Sequence, residues 1–86
     1  MEFLFKDEAE YDLAYWFRTN KSLIRKIESL LKSIKETPFS GIGYPEALKE
    51  NLSGYWSRRI NRENRIIYTV DDQYITIYSL YGHYAK

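Results

Sequence analysis

The clearest pattern along the chain is a run of apolar residues spaced three or four positions apart. It predicts an amphipathic helix that begins after Asn20, a plausible N-cap, and ends at Thr37. The end is expected there because the residue before Pro38 avoids helical backbone. The apolar positions, which we expect to face the core, are Leu23, Ile24, Ile27, Leu30, Leu31 and Ile34.

The segment before this helix predicts one strand and one shorter helix. Residues 2–6 are short and apolar, which is typical of a strand. Asp7 then predicts an N-cap, with Glu10 as its capping-box partner. The helix should run to about Arg18, and its buried stripe is expected to consist of Leu13, Trp16 and Phe17.

The second half of the chain predicts three strands, rich in aromatic and β-branched residues. They span residues 55–60, 65–70 and 74–81. The turns between them are short enough for an antiparallel meander.

A loop with two prolines and two glycines, residues 38–45, precedes these strands, and residues 46–49 are expected to form one short turn of helix. The order β-α-α-β-β-β predicts one α+β domain over residues 1–86. In this fold, two helices pack on one face of a twisted, mainly antiparallel sheet.

Composition narrows the class of protein. The 86 residues include no cysteine, so disulfides and zinc–thiolate sites are excluded and a reducing compartment fits. The first six residues are too short for the apolar part of a signal peptide, and no apolar run reaches membrane-spanning length. We therefore expect a cytoplasmic protein that does not enter a membrane.

Charged residues are distributed unevenly along the chain, although the net charge is only +1. Residues 21–65 hold ten basic and five acidic side chains. This excess suggests a local anionic partner. For the bases of the long helix alone, a solvated helix face is the favoured interpretation.

Two arginines flank the first turn of the meander. Arg59 and Arg65 could lie close together across paired strands, and two neighbouring guanidinium groups suit a phosphate. The alternative is ordinary solubility of an edge strand, with Glu63 as an ionic partner. Spacing alone does not decide between them.

Further side chains could take part in cleaving RNA by its own 2′-hydroxyl. That reaction needs a general base, a general acid and cations around the charged phosphorane, and it requires no metal or other cofactor. Glu46 could be the base and the single histidine, His83, the acid, while Lys49 could join Arg59 and Arg65 on the phosphate. Taken separately, a loop carboxylate is usually only solvated and a lone histidine is usually incidental.

Four motifs give the chain a specific resemblance. They are G-I-G-Y-P-E-A-L-K at 41–49, L-S-G-Y-W-S-R-R-I at 52–60, R-I-I-Y at 65–68 and H-Y at 83–84. Together they resemble the Txe/YoeB family of RelE-like toxins. The resemblance implies a compact microbial-ribonuclease-like fold and a toxin that cuts mRNA in the ribosomal A site.

The same resemblance implies roles for individual residues and partners. Glu46 resembles the general base, His83 the general acid and Arg65 the ligand of the transition-state phosphate. The supporting residues for phosphate and base are Lys49, Arg59 and Tyr84. The implied partners are the ribosome, its mRNA and a YefM-like antitoxin, and a homodimer stays open.

The chain departs from the family pattern at a few positions. Tyr44 and Ala47 stand where a lysine and a proline are expected, and Tyr81 stands where a basic residue is common. Two alternatives to a toxic enzyme remain at this point. One is a non-catalytic RNA- or ribosome-binding module of the same fold, and the other is a purely structural partner in an antitoxin complex.

Overall fold

A computed structural model describes residues 1–82 of the protein. It contains two helices, five strands and one 3-10 turn, in the order predicted apart from an added short strand. The elements are β1 (Glu2–Phe5), α1 (Asp7–Thr19), α2 (Lys21–Glu36), β2 (Glu46–Ala47), the 3-10 turn (Glu50–Leu52), β3 (Trp56–Arg59), β4 (Arg65–Val70) and β5 (Tyr74–Ser79).

The five strands form one sheet in the order β1-β5-β4-β3-β2. β1 runs parallel to β5, and the other three neighbouring pairs are antiparallel. The prediction of a mainly antiparallel sheet is therefore confirmed. A parallel pair needs a long connection, and α1 and α2 together with the later strands supply it.

Both helices cover the same face of the sheet. The predicted stripe of α2 is confirmed, since Leu23, Ile27, Leu30 and Ile34 are buried and Ile24 and Leu31 are half-buried. These side chains share one core with alternate residues of the central strands, namely Ile66, Tyr68, Ile75 and Ile77. Each fully buried aliphatic side chain contributes about 1.5–3 kcal/mol relative to an exposed one.

The caps of the two helices differ from each other. Asn20 caps α2 as predicted, because its Oδ1 accepts a hydrogen bond of 3.2 Å from the backbone N of Leu23. The capping box predicted at α1 is wrong. Lys6 occupies the N-cap position and Asp7 is the first helical residue, with no side-chain cap. Acidic residues in the first turn still suit the positive end of the helix dipole.

Two further local predictions are wrong. Phe17 is 60% exposed, because the buried stripe of α1 passes through Ala9, Asp12 and Trp16 and leaves Phe17 beside it. Residues 46–49 form no helical turn. Glu46–Ala47 is extended and pairs with β3, so a ladder formed with a distant segment overrides local preference. Within residues 1–82, neither helix is long and apolar enough to cross a membrane.

Candidate active site

The face of the sheet opposite the helices carries the polar side chains predicted to act. Strand register places Glu46 opposite Ser57 and Arg59 opposite Arg65. Directly opposed residues share a face of the sheet. We call this the open face, and define it by Glu46, Ser57, Arg59 and Arg65.

Glu46 and Arg65 approach each other on the open face. Oε1 of Glu46 is 3.8 Å from Nη1 of Arg65, near the outer limit for an ion pair. The Arg65 side chain is 18% exposed and that of Glu46 is 61% exposed. Nη1 of Arg65 also donates a long hydrogen bond of 3.5 Å to Oγ of Ser57. Arg65 is therefore held loosely, and its planar guanidinium can still receive an anion.

The predicted closeness of Arg59 and Arg65 is confirmed, since they are direct partners in the β3–β4 ladder. Like charges in this arrangement repel each other, and a bound phosphate would relieve the repulsion. Glu63 does not take the part suggested for it. The ion pair within the described part of the chain joins Arg65 to Glu46. Arg59 instead lies 5.0 Å from the ring centroid of Tyr44.

Lys49 lies at the start of the 3-10 turn, two residues beyond β2. Its side chain is exposed, and its carbonyl oxygen accepts a hydrogen bond of 3.0 Å from the backbone N of Leu52. The backbone at Lys49 is therefore fixed close in sequence to Glu46. Its side chain forms no ion pair with residues 1–82.

His83 and Tyr84 lie outside the described residues, so their predicted roles remain predictions. The residue before them is described. The backbone N of Gly82 donates to Oδ1 of Asn64 at 2.7 Å, and the carbonyl oxygen of Gly82 accepts from the backbone N of Arg65 at 3.1 Å. Gly82, which immediately precedes His83 in the sequence, is thus held beside Arg65, the first residue of β4.

Helix α1 fixes the chain at Leu80, two residues before Gly82. Oδ2 of Asp12 accepts a hydrogen bond of 2.9 Å from the backbone N of Leu80, and Nε1 of Trp16 donates one of 2.9 Å to its carbonyl oxygen. Both bonds are buried. Because Leu80 has both its backbone groups satisfied by α1, the path toward Gly82 is tightly defined. Sequence reasoning missed Asp12, since no local signal links it to residue 80.

Arg58 is the second residue that sequence reasoning missed. It is fully buried, and within residues 1–82 it has no carboxylate partner. Its guanidinium donates five hydrogen bonds to neutral acceptors instead. These are Oη of Tyr68 (3.1 Å), Oγ of Ser33 (2.9 Å) and the carbonyl oxygens of Ile42, Thr37 and Ser40 (2.8 Å each). One side chain therefore joins α2, β4 and the loop that leads to Glu46.

Tyr68 completes this buried network. Its hydroxyl accepts from Arg58 and donates a hydrogen bond of 2.6 Å to the carbonyl oxygen of Pro38. Burial raises the pKa of Tyr68, and the hydrogen bond and positive charge of Arg58 oppose part of that rise. The alternation of β3 was the available signal for Arg58, because it places this arginine on the same face as Trp56 and Ile60.

The end of the loop formed by residues 38–45 is also fixed, by a backbone hydrogen bond and close packing at Gly43. The carbonyl oxygen of Gly43 accepts a hydrogen bond of 2.7 Å from the backbone N of Arg59. Gly43 has φ 84°, and a Cβ there would lie 2.5 Å from Cδ2 of Leu30. Only glycine fits this approach. Residues 44–46, which follow Gly43 and end at Glu46, therefore start from a fixed position beside β3.

Within residues 1–82, no three histidine, aspartate or glutamate side chains come together as a metal site would require. The arrangement on the open face offers a carboxylate acceptor and two guanidinium groups instead. It is suited to binding a phosphodiester and to taking a proton from a neighbouring hydroxyl.

Known proteins resemble this chain over almost its whole length. Residues 5–84 match the family described as YoeB-like toxin of bacterial type II toxin-antitoxin system. Toxin YoeB of Escherichia coli K12 is 44% identical over 84 residues, which cover 98% of this chain and 100% of the relative.

Solved structures of such toxins share the fold. The YoeB/ParE toxin from Agrobacterium tumefaciens has a TM-score of 0.94 at 36% identity, covering 98% of this chain and all of that one. A YoeB dimer from Staphylococcus aureus has a TM-score of 0.91 at 47% identity, covering 98% of both chains. A YoeB–YefM complex from the same species has a TM-score of 0.88 at 49% identity, covering 95% of both. The prediction of a RelE-like fold is confirmed.

Proposed function

Since the chain belongs to the family of YoeB-like toxins of bacterial type II toxin–antitoxin systems, we propose that it is a ribosome-dependent endoribonuclease. It cuts mRNA in the ribosomal A site and so inhibits translation. The observation that supports this most strongly is the approach of Glu46 to Arg65 on the open face, with Arg59 directly opposite Arg65.

The reaction is an attack of the RNA 2′-oxygen on the neighbouring phosphorus. Glu46 takes the proton of the 2′-hydroxyl as the new P–O bond forms, and His83 gives a proton to the 5′-oxygen as the P–O5′ bond breaks. Arg65 stabilises the charge that develops on the phosphorane oxygens, with support from Arg59 and Lys49. The products are a 2′,3′-cyclic phosphate and a 5′-hydroxyl, and no metal takes part.

The geometry supports this assignment in two ways. The carboxylate of Glu46 is well exposed and therefore accessible to a substrate hydroxyl, while Arg65 is partly shielded from water, where its charge acts more strongly. The carbonyl oxygen of Gly82 accepts a hydrogen bond from the backbone N of Arg65, so the described residue that precedes His83 in the sequence lies beside Arg65. Tyr84 is proposed to support the base or phosphate.

Single-turnover cleavage on ribosomes carrying a defined mRNA tests the proposal. Glu46→Ala, Arg65→Ala and His83→Ala should each slow cleavage by at least about 10²-fold, as loss of a general acid or base, or of a group that stabilises transition-state charge, does. Lys32→Ala, exposed on α2, is the matched control and should have no effect. Wild-type rates in all three site variants would overturn the assignment.

Analysis of the fragment ends tests the chemistry separately. The upstream fragment should carry a 2′,3′-cyclic phosphate at the earliest times. A linear 3′-phosphate with no cyclic precursor would show that water is the nucleophile instead. Binding of the ribosome without cleavage would favour a non-catalytic binding module.

The proposed partner is a YefM-like antitoxin whose acidic segment folds over the basic open face. A Staphylococcus aureus relative is solved as a YoeB–YefM complex, and complementary charge favours such an encounter here. Co-expression with the neighbouring gene should yield a complex and restore growth. Failure of every neighbouring product to bind would count against this partner. Sedimentation of the toxin alone would show whether it forms a dimer like that of the S. aureus relative.

A further inference from the structure

Tyr44 is the most exposed large apolar or aromatic side chain within residues 1–82, with 73% of its surface in contact with water. Its backbone has φ 53°, in the left-handed region that residues with a side chain rarely adopt. Burial of the ring does not offset the cost of this conformation. Strained backbone of this kind is found preferentially at functional sites.

The surrounding chain holds Tyr44 in this conformation. Gly43 on one side is packed against Leu30 and hydrogen-bonded to the backbone of Arg59. Pro45 on the other side has a restricted φ. The ring is therefore presented from a rigid support rather than from a mobile loop tip, which reduces the entropy lost when a ligand binds.

The ring of Tyr44 lies beside the groups proposed to bind phosphate. The guanidinium carbon of Arg59 is 5.0 Å from the ring centroid, within the range of a cation–π interaction. Arg59 is in turn the cross-strand partner of Arg65. A nucleotide presents a phosphate and a flat base in similar proximity, so one nucleotide could contact an arginine and this ring together.

Four other aromatic side chains between residues 39 and 78 pack on each other in pairs. Tyr55 packs on Tyr78 at 5.0 Å between centroids, and Phe39 packs on Trp56 at 4.9 Å. Within the part of the chain that the structure describes, Tyr44 has no aromatic partner and contacts Arg59 instead. Its ring is thus available to a flat ligand.

We propose that Tyr44 stacks on the base of a nucleotide next to the phosphate bound by Arg59 and Arg65. This inference rests on the proposed function and deepens it, because it assigns a nucleobase subsite to the same open face. Stacking on a tyrosine ring needs the ring but not its hydroxyl, and it tolerates any base.

Binding of a short RNA that cannot be cleaved tests the proposal without relying on catalysis. The probe is a fluorescein-labelled 2′-fluoro RNA heptamer, which lacks the 2′-hydroxyl nucleophile, and binding is followed by fluorescence anisotropy. Tyr44→Ala should raise the Kd by about 5- to 100-fold, as loss of one stacked base does. Tyr44→Phe should stay within about twofold of the wild type.

The matched control is Tyr11→Ala, which removes a ring that is 70% exposed on α1, and it should not change the Kd. Equal affinity of wild type and Tyr44→Ala, or no measurable binding by the wild type, overturns the proposal. In either case, cleavage of ribosome-bound mRNA that depends on Glu46 and Arg65 would leave the proposed function intact. Absence of that cleavage would defeat the function separately.

Two further measurements separate stacking from a role in holding Arg59. In an Arg59→Ala background, Tyr44→Ala should still weaken binding by at least about fivefold if the ring touches a base. No further loss there would mean that Tyr44 only positions Arg59. A probe made abasic at every position should bind wild type and Tyr44→Ala equally, and a persistent difference would likewise exclude stacking.

Discussion

Arg58 and Arg59 are neighbours in β3, yet they lie on opposite faces of the sheet and have different surroundings. On the helix-covered face, Arg58 is fully buried and donates five hydrogen bonds to neutral oxygens. On the open face, Arg59 is exposed, lies against a tyrosine ring and stands opposite a second arginine. The same side chain thus organises the fold on one face and remains available to a ligand on the other.

The difference teaches that charge alone does not identify a binding residue. A buried guanidinium whose donors are satisfied has no capacity left for a phosphate. Two adjacent guanidinium groups without a close carboxylate for each still attract one. The candidate site depends on both kinds of arginine, since Arg58 fixes the loop that leads to Glu46 and Arg59 stands on the open face beside Arg65.

Loss of Arg58 should have the largest effect and would test the comparison directly. Arg58→Ala should lower the free energy of unfolding by at least about 3 kcal/mol, because buried acceptors lose their donor and a cavity remains. Arg59→Ala should change it by no more than about 0.5 kcal/mol. Urea denaturation measures both. Equal effects would show that the two faces do not differ as described.

Loss of Asp12 should have the next largest effect. Asp12→Ala leaves the buried N–H of Leu80 without an acceptor and should lower the free energy of unfolding by about 1.5–3 kcal/mol. Glu10→Ala, exposed in the first turn of the same helix, is the control and should lower it by no more than about 1 kcal/mol, the size of its interaction with the helix dipole. If both variants unfold at the wild-type urea concentration, α1 does not fix the path toward the open face.

Removal of the Tyr68 hydroxyl should have a smaller effect, of about 1 kcal/mol at neutral pH. It should also change the response to alkali. Because burial raises the pKa of Tyr68 above its value in the unfolded chain, the neutral phenol favours folding below about pH 10. That contribution disappears as the pH rises through the folded-state pKa.

Wild-type stability should consequently fall more steeply than that of Tyr68→Phe above about pH 10. Urea unfolding measured across this pH range tests the expectation, with Tyr11→Phe as an exposed control. Parallel pH dependence in wild type and Tyr68→Phe would show that the phenol is not shielded on the covered face.

Substitution of Ser57 should have the smallest effect. Its Oγ is buried on the open face but lies 3.5 Å from Nη1 of Arg65, at the limit of a hydrogen bond. Ser57→Ala should therefore change the single-turnover cleavage rate by less than about threefold. A loss as large as that of Arg65→Ala would mean that Ser57 sets the orientation of this arginine.

Much of the fold could be predicted because its signals are local. The stripe of α2, its Asn20 cap and the bounds of β4 follow from spacing, side-chain chemistry and β-branched residues. The extended conformation of Glu46–Ala47 could not be predicted in this way, because its partners in β3 lie nine and eleven residues further along the chain. The prediction that Phe17 is buried was wrong, because the apolar stripe of α1 is weak and does not fix which side of the helix faces the sheet.

The same distinction between local signals and contacts with distant residues applies to the candidate site. The short turn indicated that Arg59 and Arg65 could lie close together across paired strands, and the register makes them direct partners. Side-chain chemistry suggested their roles and those of Glu46, Lys49 and His83, and family resemblance implied the same roles and added Tyr84. All of these roles remain predictions. The hydrogen bonds of Arg58 and Asp12 could not be predicted, because the partners are 10 to 25 residues away for Arg58 and 68 residues away for Asp12. Alternation in β3 indicated only the face on which Arg58 lies.

The pairing of β1 with β5 has a consequence for the order in which the protein is made. β5 lies between β1 and the rest of the sheet, and it is the last of the described strands to be synthesised. Until it emerges, β1 lacks its neighbour, and Asp12 and Trp16 lack the backbone of Leu80. A growing chain that still lacks residue 80 therefore lacks the contacts that join β1 and α1 to the rest of the sheet. Completion of the sheet waits until β5 has left the ribosome.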